Sequence, residues 1–557
     1  MKTRAVTLPN CGLLLLGASL YTLAFPPYSQ SWAAWFALAP LFFVIRHTSG
    51  KGAFFFGLSY GLLWCMGQGY WLYWTMIDNF ALRPLVALPF LLANFIFFSG
   101  LPTSLVTGLS HLIMTRSSPL LSALCVPALW VSGEFLRANP LFGVSWGVLG
   151  YTQQQQLLLI QIADLTGVYG VSFLLALSGY VVAQLGQALL TRRKKQTSRA
   201  HNLLRKSWNL EPVTWSALRP ALGLFLGAVI FTCGYGALRL HQYASTSATP
   251  IRVALIQGDV PAEHRWNPRH YAGTLLKYAA VTRRSLTDTR PDLAIWPEFA
   301  ISFYLDKEPL LRAQLGEFAR MLRTPLLLGA PRLEESEQGP QYYNSAYLFS
   351  AQGKFLDVYD KLRLVPFAEY RPFSLPHLLS NRPNAPSEFT PGVRPTIFTL
   401  PSGPFGATIC YEATYPAITR RLVQAGAQWL VNISNDTWLG EAQAAVEQHF
   451  SMNVLRAVEN RRSIARVATA GVSGFISPTG RVTILSSAKE GALHGEVSLQ
   501  RNLTIYTQWG EWFSYSCLGF SLLVAAQAAR RSRLAIDARQ SPPHPSPTKT
   551  DPIAATI

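Results

Sequence analysis

Three short phrases in the polar half of this 557-residue chain carry side chains that together could perform acyl chemistry. They are Trp296-Pro297-Glu298, Tyr359-Asp360-Lys361 and Cys410-Tyr411-Glu412. The chain has six cysteines, and five of them (Cys11, Cys65, Cys125, Cys233, Cys517) lie in or beside long apolar stretches. Cys410 alone lies in a polar region, at the end of the strand-like run Phe405–Ile409. A thiol attacks a carbonyl only as its thiolate, and a free cysteine is mostly protonated at neutral pH. Glu298 is the candidate base, because a carboxylate in a mostly apolar pocket becomes a better proton acceptor. Lys361 is the candidate fixed positive charge, favouring first the thiolate and then the oxyanion of a tetrahedral intermediate. Each residue alone has a plain structural reading: a core cysteine, a turn glutamate, a solvated lysine. Their succession, each near the end of a predicted strand, makes a nucleophile constellation. A thioester on Cys410 would split one difficult acyl transfer into two easier ones.

The elements that would position them are those of an α/β domain over residues 250–503. Strands are predicted at Val253–Gln257, Leu293–Trp296, Pro325–Gly329, Ala346–Phe349, Ala407–Cys410, Trp429–Ile433 and Gly474–Ser477. Helical pattern appears at Tyr271–Leu286, Glu308–Leu322, Tyr415–Ala425 and Val446–Asn460. The ends of strands in open α/β sheets are where ligands bind, which suits a nucleophile at Cys410. No zinc-like Cys/His spacing occurs and no disulfide framework is available to the polar region. The chemistry calls for no metal and no cofactor.

Before this domain the chain is apolar. Charged residues make up only 14% of the chain, which points to segments within a membrane. Residues 1–243 read as seven helices, near 12–25, 31–45, 53–76, 84–114, 119–136, 157–190 and 220–240. Residues 504–535 hold an eighth, near 513–529, and residues 536–557 read as a disordered tail rich in Pro, Ser and Thr. The first run reads as a span rather than a signal peptide, since no small-x-small cleavage site precedes Pro26. Net charge is +19, concentrated in Arg192–Lys206 and Arg530–Arg533 beside apolar runs. With the N-terminus inside, every basic loop falls on the inner side and the polar domain on the outer side. The basic clusters are therefore topology signals, and no nucleic-acid surface is expected. Glu134, Arg137 and Asp164 are costly in lipid and need partners; Glu134 and Arg137, a helical turn apart, are expected to pair near the outer surface, the alternatives being a phospholipid headgroup or docking of the outer domain. Trp71, Tyr73 and Trp74 resemble an interfacial aromatic belt.

The three phrases resemble the Glu-Lys-Cys triad of the nitrilase superfamily. Wider stretches resemble bacterial apolipoprotein N-acyltransferases: Leu23–Pro27, Ala163–Phe173, Pro366–Phe373 and Asn432–Gly440. The resemblance runs from the first helix to the Tyr506/Gly510 region. It implies an αββα sandwich carried outside the bacterial inner membrane on eight helices, with both termini cytoplasmic. It also implies transfer of a fatty acyl chain from a phospholipid to the N-terminal diacylglyceryl-cysteine amine of an apolipoprotein, by a ping-pong route through a Cys410 thioester. Glu369 matches a further family glutamate beside the lysine, able to orient Lys361 or a substrate proton. Asn344 matches a position near the pocket, with a turn role as the alternative. The backbone N–H groups at Tyr411 and Glu412 could join an oxyanion hole, while the Glu412 carboxylate could instead pair within the core. Asp259, Thr437 and Ala470 depart from the family pattern.

Two other readings remain at this stage. A membrane-tethered amidase would use the same triad with water as second acceptor, although eight spans serve a two-lipid reaction better. A transporter or scaffold with an inert outer domain would not need Glu298, Lys361 and Cys410 together. The segment Phe373–Pro391, with Leu375, Leu378 and Leu379, reads as a lid dipping into the outer leaflet, or else as a packed surface loop.

Overall fold

Along the strand β1 (Pro250–Gln257), Val253 and Leu255 enter one apolar core while Ala254 and Ile256 enter another. A strand buried on both faces requires a covering layer on each side. The computed structural model supplies these layers; it describes residues 8–79, 82–139, 143–192, 214–244, 250–264, 266–286, 290–337, 339–366, 368–370, 388–440, 442–485 and 490–540. The remaining strands are β2 (Leu293–Ile295), β3 (Leu326–Ser336), β4 (Gly339–Phe349), β5 (Phe355–Asp360), β6 (Ile397–Leu400), β7 (Gly403–Ile409), β8 (Trp429–Ser434), β9 (Ile464–Ala468), β10 (Gly474–Ile476), β11 (Val482–Ile484) and β12 (Gly491–Ser498). They form two six-stranded sheets, ordered β12-β1-β2-β3-β4-β5 and β11-β10-β9-β8-β7-β6. In each sheet three neighbours run parallel: β1, β2 and β3 in the first, β7, β8 and β9 in the second.

Leu255, Ile295 and Leu327 from the first sheet meet Phe405, Val431 and Val467 from the second in the central core. The outer face of the first sheet is covered by helices Pro268–Ser285 and Pro309–Leu322 through Tyr278, Val281, Leu315 and Phe318. The second sheet is covered by helices Pro416–Gln424 and Gln443–Asn460. Their Ile418, Leu422, Met452 and Leu455 belong to the same core as the apolar helices of the N-terminal half. The architecture is the expected αββα sandwich, with its second helical layer pressed between sheet and helical half. All seven predicted strands occur. β5, β6, β9, β11 and β12 were not predicted: β9 carries Arg466 at its centre, and β12 breaks the apolar alternation with Gly491, His494 and Gly495.

Among the described residues, five helices are long and apolar enough to cross a membrane: Pro84–Arg116, Pro119–Ala138, Val168–Thr191, Trp215–Ala244 and Trp512–Arg531. Leu8–Ala24 and Ser31–Arg46 are shorter apolar segments. The single helix expected over 157–190 is broken. Leu157–Ile160 and Ala163–Thr166 are one-turn pieces, Gly167 has φ +66°, and continuous helix begins only at Val168. A Cβ at Gly167 would lie 2.8 Å from the Tyr506 ring, so the break and that close approach both require glycine. Gln161, Asp164, Thr166 and Gly167 mark the break in the sequence, but the apolar residues on both sides carry a hydropathy average across it.

The break presents Asp164 to two cations. Its carboxylate accepts from Arg239 and Arg461 at 2.8 Å each and from the Tyr235 hydroxyl at 2.7 Å. Glu134 and Arg137 do not pair directly with each other. The Glu134 carboxylate accepts from Trp130 Nε1 and the Leu149 N–H, and Arg137 donates to the Trp146 carbonyl. Both side chains turn to hold the loop following their helix. Nor is Trp71 a lipid-facing belt residue: it is buried against Trp146, with ring centroids 5.8 Å apart. The basic residues from Arg193 to Lys206, most of the segment Phe373–Pro391 and the tail from residue 541 lie outside the described residues.

Candidate active site

Glu298 sits just past the end of β2, in a turn fixed from both sides. The Trp296 N–H donates to the Leu327 carbonyl, its ring stacks on Tyr278 at 5.3 Å, and its Nε1 donates to Thr282 Oγ1 at 2.9 Å. Phe299 then adopts a left-handed φ of +53°. Gly329 on β3 passes so close that a Cβ there would lie 2.6 Å from the Glu298 Cα. At the end of β5 each residue of Tyr359-Asp360-Lys361 has its own partner. The Tyr359 hydroxyl donates to Glu412, Asp360 pairs with Arg332 at 2.8 Å, and Lys361 turns into the pocket. Cys410 follows β7 directly and opens the short helical turn Cys410–Thr414 at φ +52°. A left-handed non-glycine residue costs roughly 1–2 kcal/mol, so this turn has to be held from outside.

The side chains converge. Lys361 Nζ donates to Glu298 Oε1 at 3.2 Å and to Glu369 Oε1 at 2.9 Å. Asn344, in the middle of β4 rather than in a turn, donates through Nδ2 to the same two oxygens at 2.7 and 2.8 Å. The second oxygen of Glu298 accepts the Asn435 N–H at 2.8 Å, and that of Glu369 accepts the Val365 N–H at 2.7 Å. Glu298 is thus ringed by three donors and not set in the mostly apolar pocket expected from sequence. Lys361 and Cys410 are 1% and 2% exposed, so both are shielded from bulk solvent.

Burial would pull the Lys361 pKa down, but the charges of Glu298 and Glu369, with Cys410 adding, hold it above its ordinary value. Lys361 is a permanent cation. The Cys410 thiol is pushed up to about 12, first by burial and then by the charge of Glu298, against the lowering effect of Lys361. The lysine therefore does not create a resting thiolate, and the thiol keeps its proton until a base removes it. The Glu412 carboxylate accepts from the Tyr359 hydroxyl and from the N–H groups of Leu362, Arg363 and Ile409. It has no ion-pair partner among the described residues; it ties the chain after Lys361 to the chain before Cys410, and burial pushes it up to about 7. The Tyr411 side chain leaves the pocket, its ring stacking on Trp146 at 5.9 Å and its hydroxyl donating to the Gly143 carbonyl. Only its main chain stays beside the thiol.

Sequence reasoning did not assign several neighbours. Trp266, Phe299, Leu364, Phe389, Tyr342 and Tyr370 form an aromatic and apolar cluster interleaved with the residues flanking Glu298, Lys361 and Glu369. Trp266 has φ +65°, which no sequence pattern announces. Asn435, Asp436 and His449 also approach the site, and the first two lie within a phrase already noted. Of the three departures, Asp259 has φ +47°, a conformation that Asp tolerates almost as well as Asn. Thr437 Oγ1 donates to Asn435 Oδ1 at 2.6 Å, steadying the residue whose N–H holds Glu298. Nothing in the structure explains Ala470.

Comparison with known proteins places the two halves of the chain in known families. Residues 17–181 match the apolipoprotein N-acyltransferase N-terminal domain, and residues 252–502 match the carbon-nitrogen hydrolase family. The apolipoprotein N-acyltransferase of Geobacter metallireducens is 33% identical over 524 residues, covering 94% of this chain and 96% of the relative. That of Pseudomonas putida is 32% identical over 533 residues, covering 92% of this chain and 96% of its own. Among solved structures, an amidase from Nesterenkonia sp. aligns with 22% identity and a TM-score of 0.35, over 47% of this chain and 95% of the amidase. Because the likeness to the curated relatives extends through the apolar helices as well as the sandwich, the chain belongs to the apolipoprotein N-acyltransferase family.

Proposed function

We propose that this chain transfers a fatty acyl group from a membrane phospholipid to the α-amine of a diacylglyceryl-cysteine at the N-terminus of an apolipoprotein, through a thioester on Cys410. The observation that carries the reading is the buried cluster in which Lys361 bridges Glu298 and Glu369 at the end of β5. Glu298 takes the thiol proton as Cys410 Sγ attacks the ester carbonyl carbon. The resulting oxyanion faces Lys361 and the Tyr411 N–H, which as an early N–H of its helical turn has no acceptor within that turn. Collapse breaks the ester C–O bond, and Glu298 returns its proton to the departing lysophospholipid. In the second half, the acceptor amine attacks the thioester carbon and gives a proton to Glu298. The C–S bond breaks and Cys410 is reprotonated. Glu369 and Asn344 orient Lys361 and Glu298 between these steps. The cluster around Trp266, Phe299 and Phe389 supplies an apolar wall for the acyl chain.

The division of the chain follows the same reading: helices over 1–243, the sandwich over 250–503 and a last span over 504–535, whose helix continues to Gln540, five residues into the tail expected over 536–557. The sandwich stands on the periplasmic side of the inner membrane with both termini cytoplasmic, as the basic flanks favour.

The test is to incubate the detergent-solubilised full chain with labelled phospholipid and no acceptor, and to measure intact mass. A hydroxylamine-sensitive acyl adduct is expected on the native protein and is expected to be absent from Cys410→Ala. If the native protein yields neither adduct nor free fatty acid, phospholipid is not the donor and the proposal fails.

A further inference from the structure

The carbonyl of Cys410 is gripped from behind. His449, on the helix Gln443–Asn460, places Nε2 at 3.1 Å from the Cys410 oxygen. A carbonyl only accepts, so Nε2 carries a proton. Nδ1 of the same ring lies 3.1 Å from Asp436 Oδ1. Asp436 is held in turn by Arg466 at 2.9 Å and by the Ser434 hydroxyl at 2.8 Å. Arg466 also donates to Asn432 Oδ1 and to the Val472 carbonyl. All four polar side chains, Ser434, Asp436, His449 and Arg466, are 2% exposed or less. The imidazole is further confined by Trp146, stacked on it at 5.9 Å.

This grip has a consequence one bond further along. A peptide unit is planar, and its C=O and N–H point in opposite directions. Holding the Cys410 oxygen therefore fixes the direction of the Tyr411 N–H. At φ +52° the Cys410 backbone is not held by local preference, so the external hydrogen bond sets the plane. A hydrogen bond accepted by the carbonyl also polarises the unit and strengthens its N–H as a donor.

We infer that His449 is a positioning residue which, by holding the Cys410 carbonyl, aims the Tyr411 N–H at the oxyanion; this rests on the thioester reading given above. His449 touches neither the thiol nor substrate in this role. Its loss leaves the nucleophile in place and removes the alignment of one oxyanion donor.

The test uses full-length protein in detergent, with two reactions of the same sulfur. Alkylation by iodoacetamide forms no oxyanion, whereas acylation by a fluorescent phospholipid in mixed micelles does. For His449→Leu, acylation is expected to fall by up to roughly 10²–10³-fold, the scale for losing an oxyanion donor, while alkylation changes by less than about 3-fold. His449→Gln keeps an N–H donor near the position of Nε2 and is expected to recover acylation to within about 10-fold of the native rate. Acylation by His449→Leu at the native rate overturns the inference. So does a parallel loss of acylation and alkylation that Gln does not rescue, which would mark His449 as a packing residue. If the native protein itself forms no adduct, the thioester reading falls, and this inference with it. Native adduct with an unaffected Leu variant removes only the role of His449.

Discussion

Glu298→Gln is expected to slow thioester formation by about 10²–10⁴-fold, the usual worth of a positioned general base. The same substitution should move the thiol in the opposite sense. The charge of Glu298 is one of the two main causes that push Cys410 up to about 12, and an uncharged amide removes it. The midpoint of alkylation against pH should therefore shift downward, since Lys361 remains to favour the thiolate. A more ionisable sulfur would then be a worse acyl acceptor. That pairing separates a base from a residue that merely shapes the pocket. Quench-flow acylation and an iodoacetamide pH profile give both values. Acylation within 10-fold of native, or a midpoint that rises, would count against Glu298 as the base.

Lys361→Met carries the second large effect, and it acts on fold as well as chemistry. Lys361 is the cation hydrogen-bonded to both Glu298 and Glu369, whose Oε1 atoms also share one Asn344 amide. Removing it leaves two buried carboxylates facing each other. Breaking a buried pair by deleting one partner typically costs about 3–5 kcal/mol. Loss of the main oxyanion charge should cost about 10³-fold or more in acylation. Adding Glu369→Gln to this variant relieves the repulsion and should restore much of the melting temperature without restoring acylation. Thermal unfolding in detergent, read beside single-turnover acylation, tests this. A double variant as unstable as the single one would mean that the repulsion is not the cause, and one that regains acylation would remove Lys361 from the chemistry.

Glu298 and Cys410 are legible because they follow strands that the sequence predicts, β2 and β7. Lys361 follows β5, which apolar alternation does not announce, and is legible only from its phrase Tyr359-Asp360-Lys361 and its place in the order Glu, Lys, Cys. Asn344 and Glu369 come from the resemblance; the Glu369 carboxylate meets Lys361, while the Asn344 amide bonds the two carboxylates that flank it. What sequence could not give is which polar residues face inward on an element buried all round. In Gln443–Asn460, Gln448, His449, Ser451, Asn453, Arg456 and Glu459 are all buried. Helical periodicity assumes one wet face, and from Gln448 onward this helix has none, so its polar residues read as surface. The Glu134–Arg137 pairing failed for a related reason. Spacing along one helix cannot show that both side chains are claimed by a loop folding back over them.

That helix, enclosed between the second sheet and the apolar helices, also constrains how the chain is made. Arg461, at its C-terminal end, meets Asp164, which left the ribosome roughly 300 residues earlier. The helical layer that covers the second sheet shares one apolar core with the helices of the N-terminal half, so the sandwich alone has no water-compatible surface on that side. On the proposed topology, insertion is expected to precede closure, with the exported domain unfinished until its floor is in place. A 250–503 fragment exported without those helices should accumulate as protease-sensitive or insoluble material, and its recovery as a soluble, protease-resistant domain would refute this order of assembly. The bilayer helices are, in this sense, a folding template for the enzyme as well as its anchor.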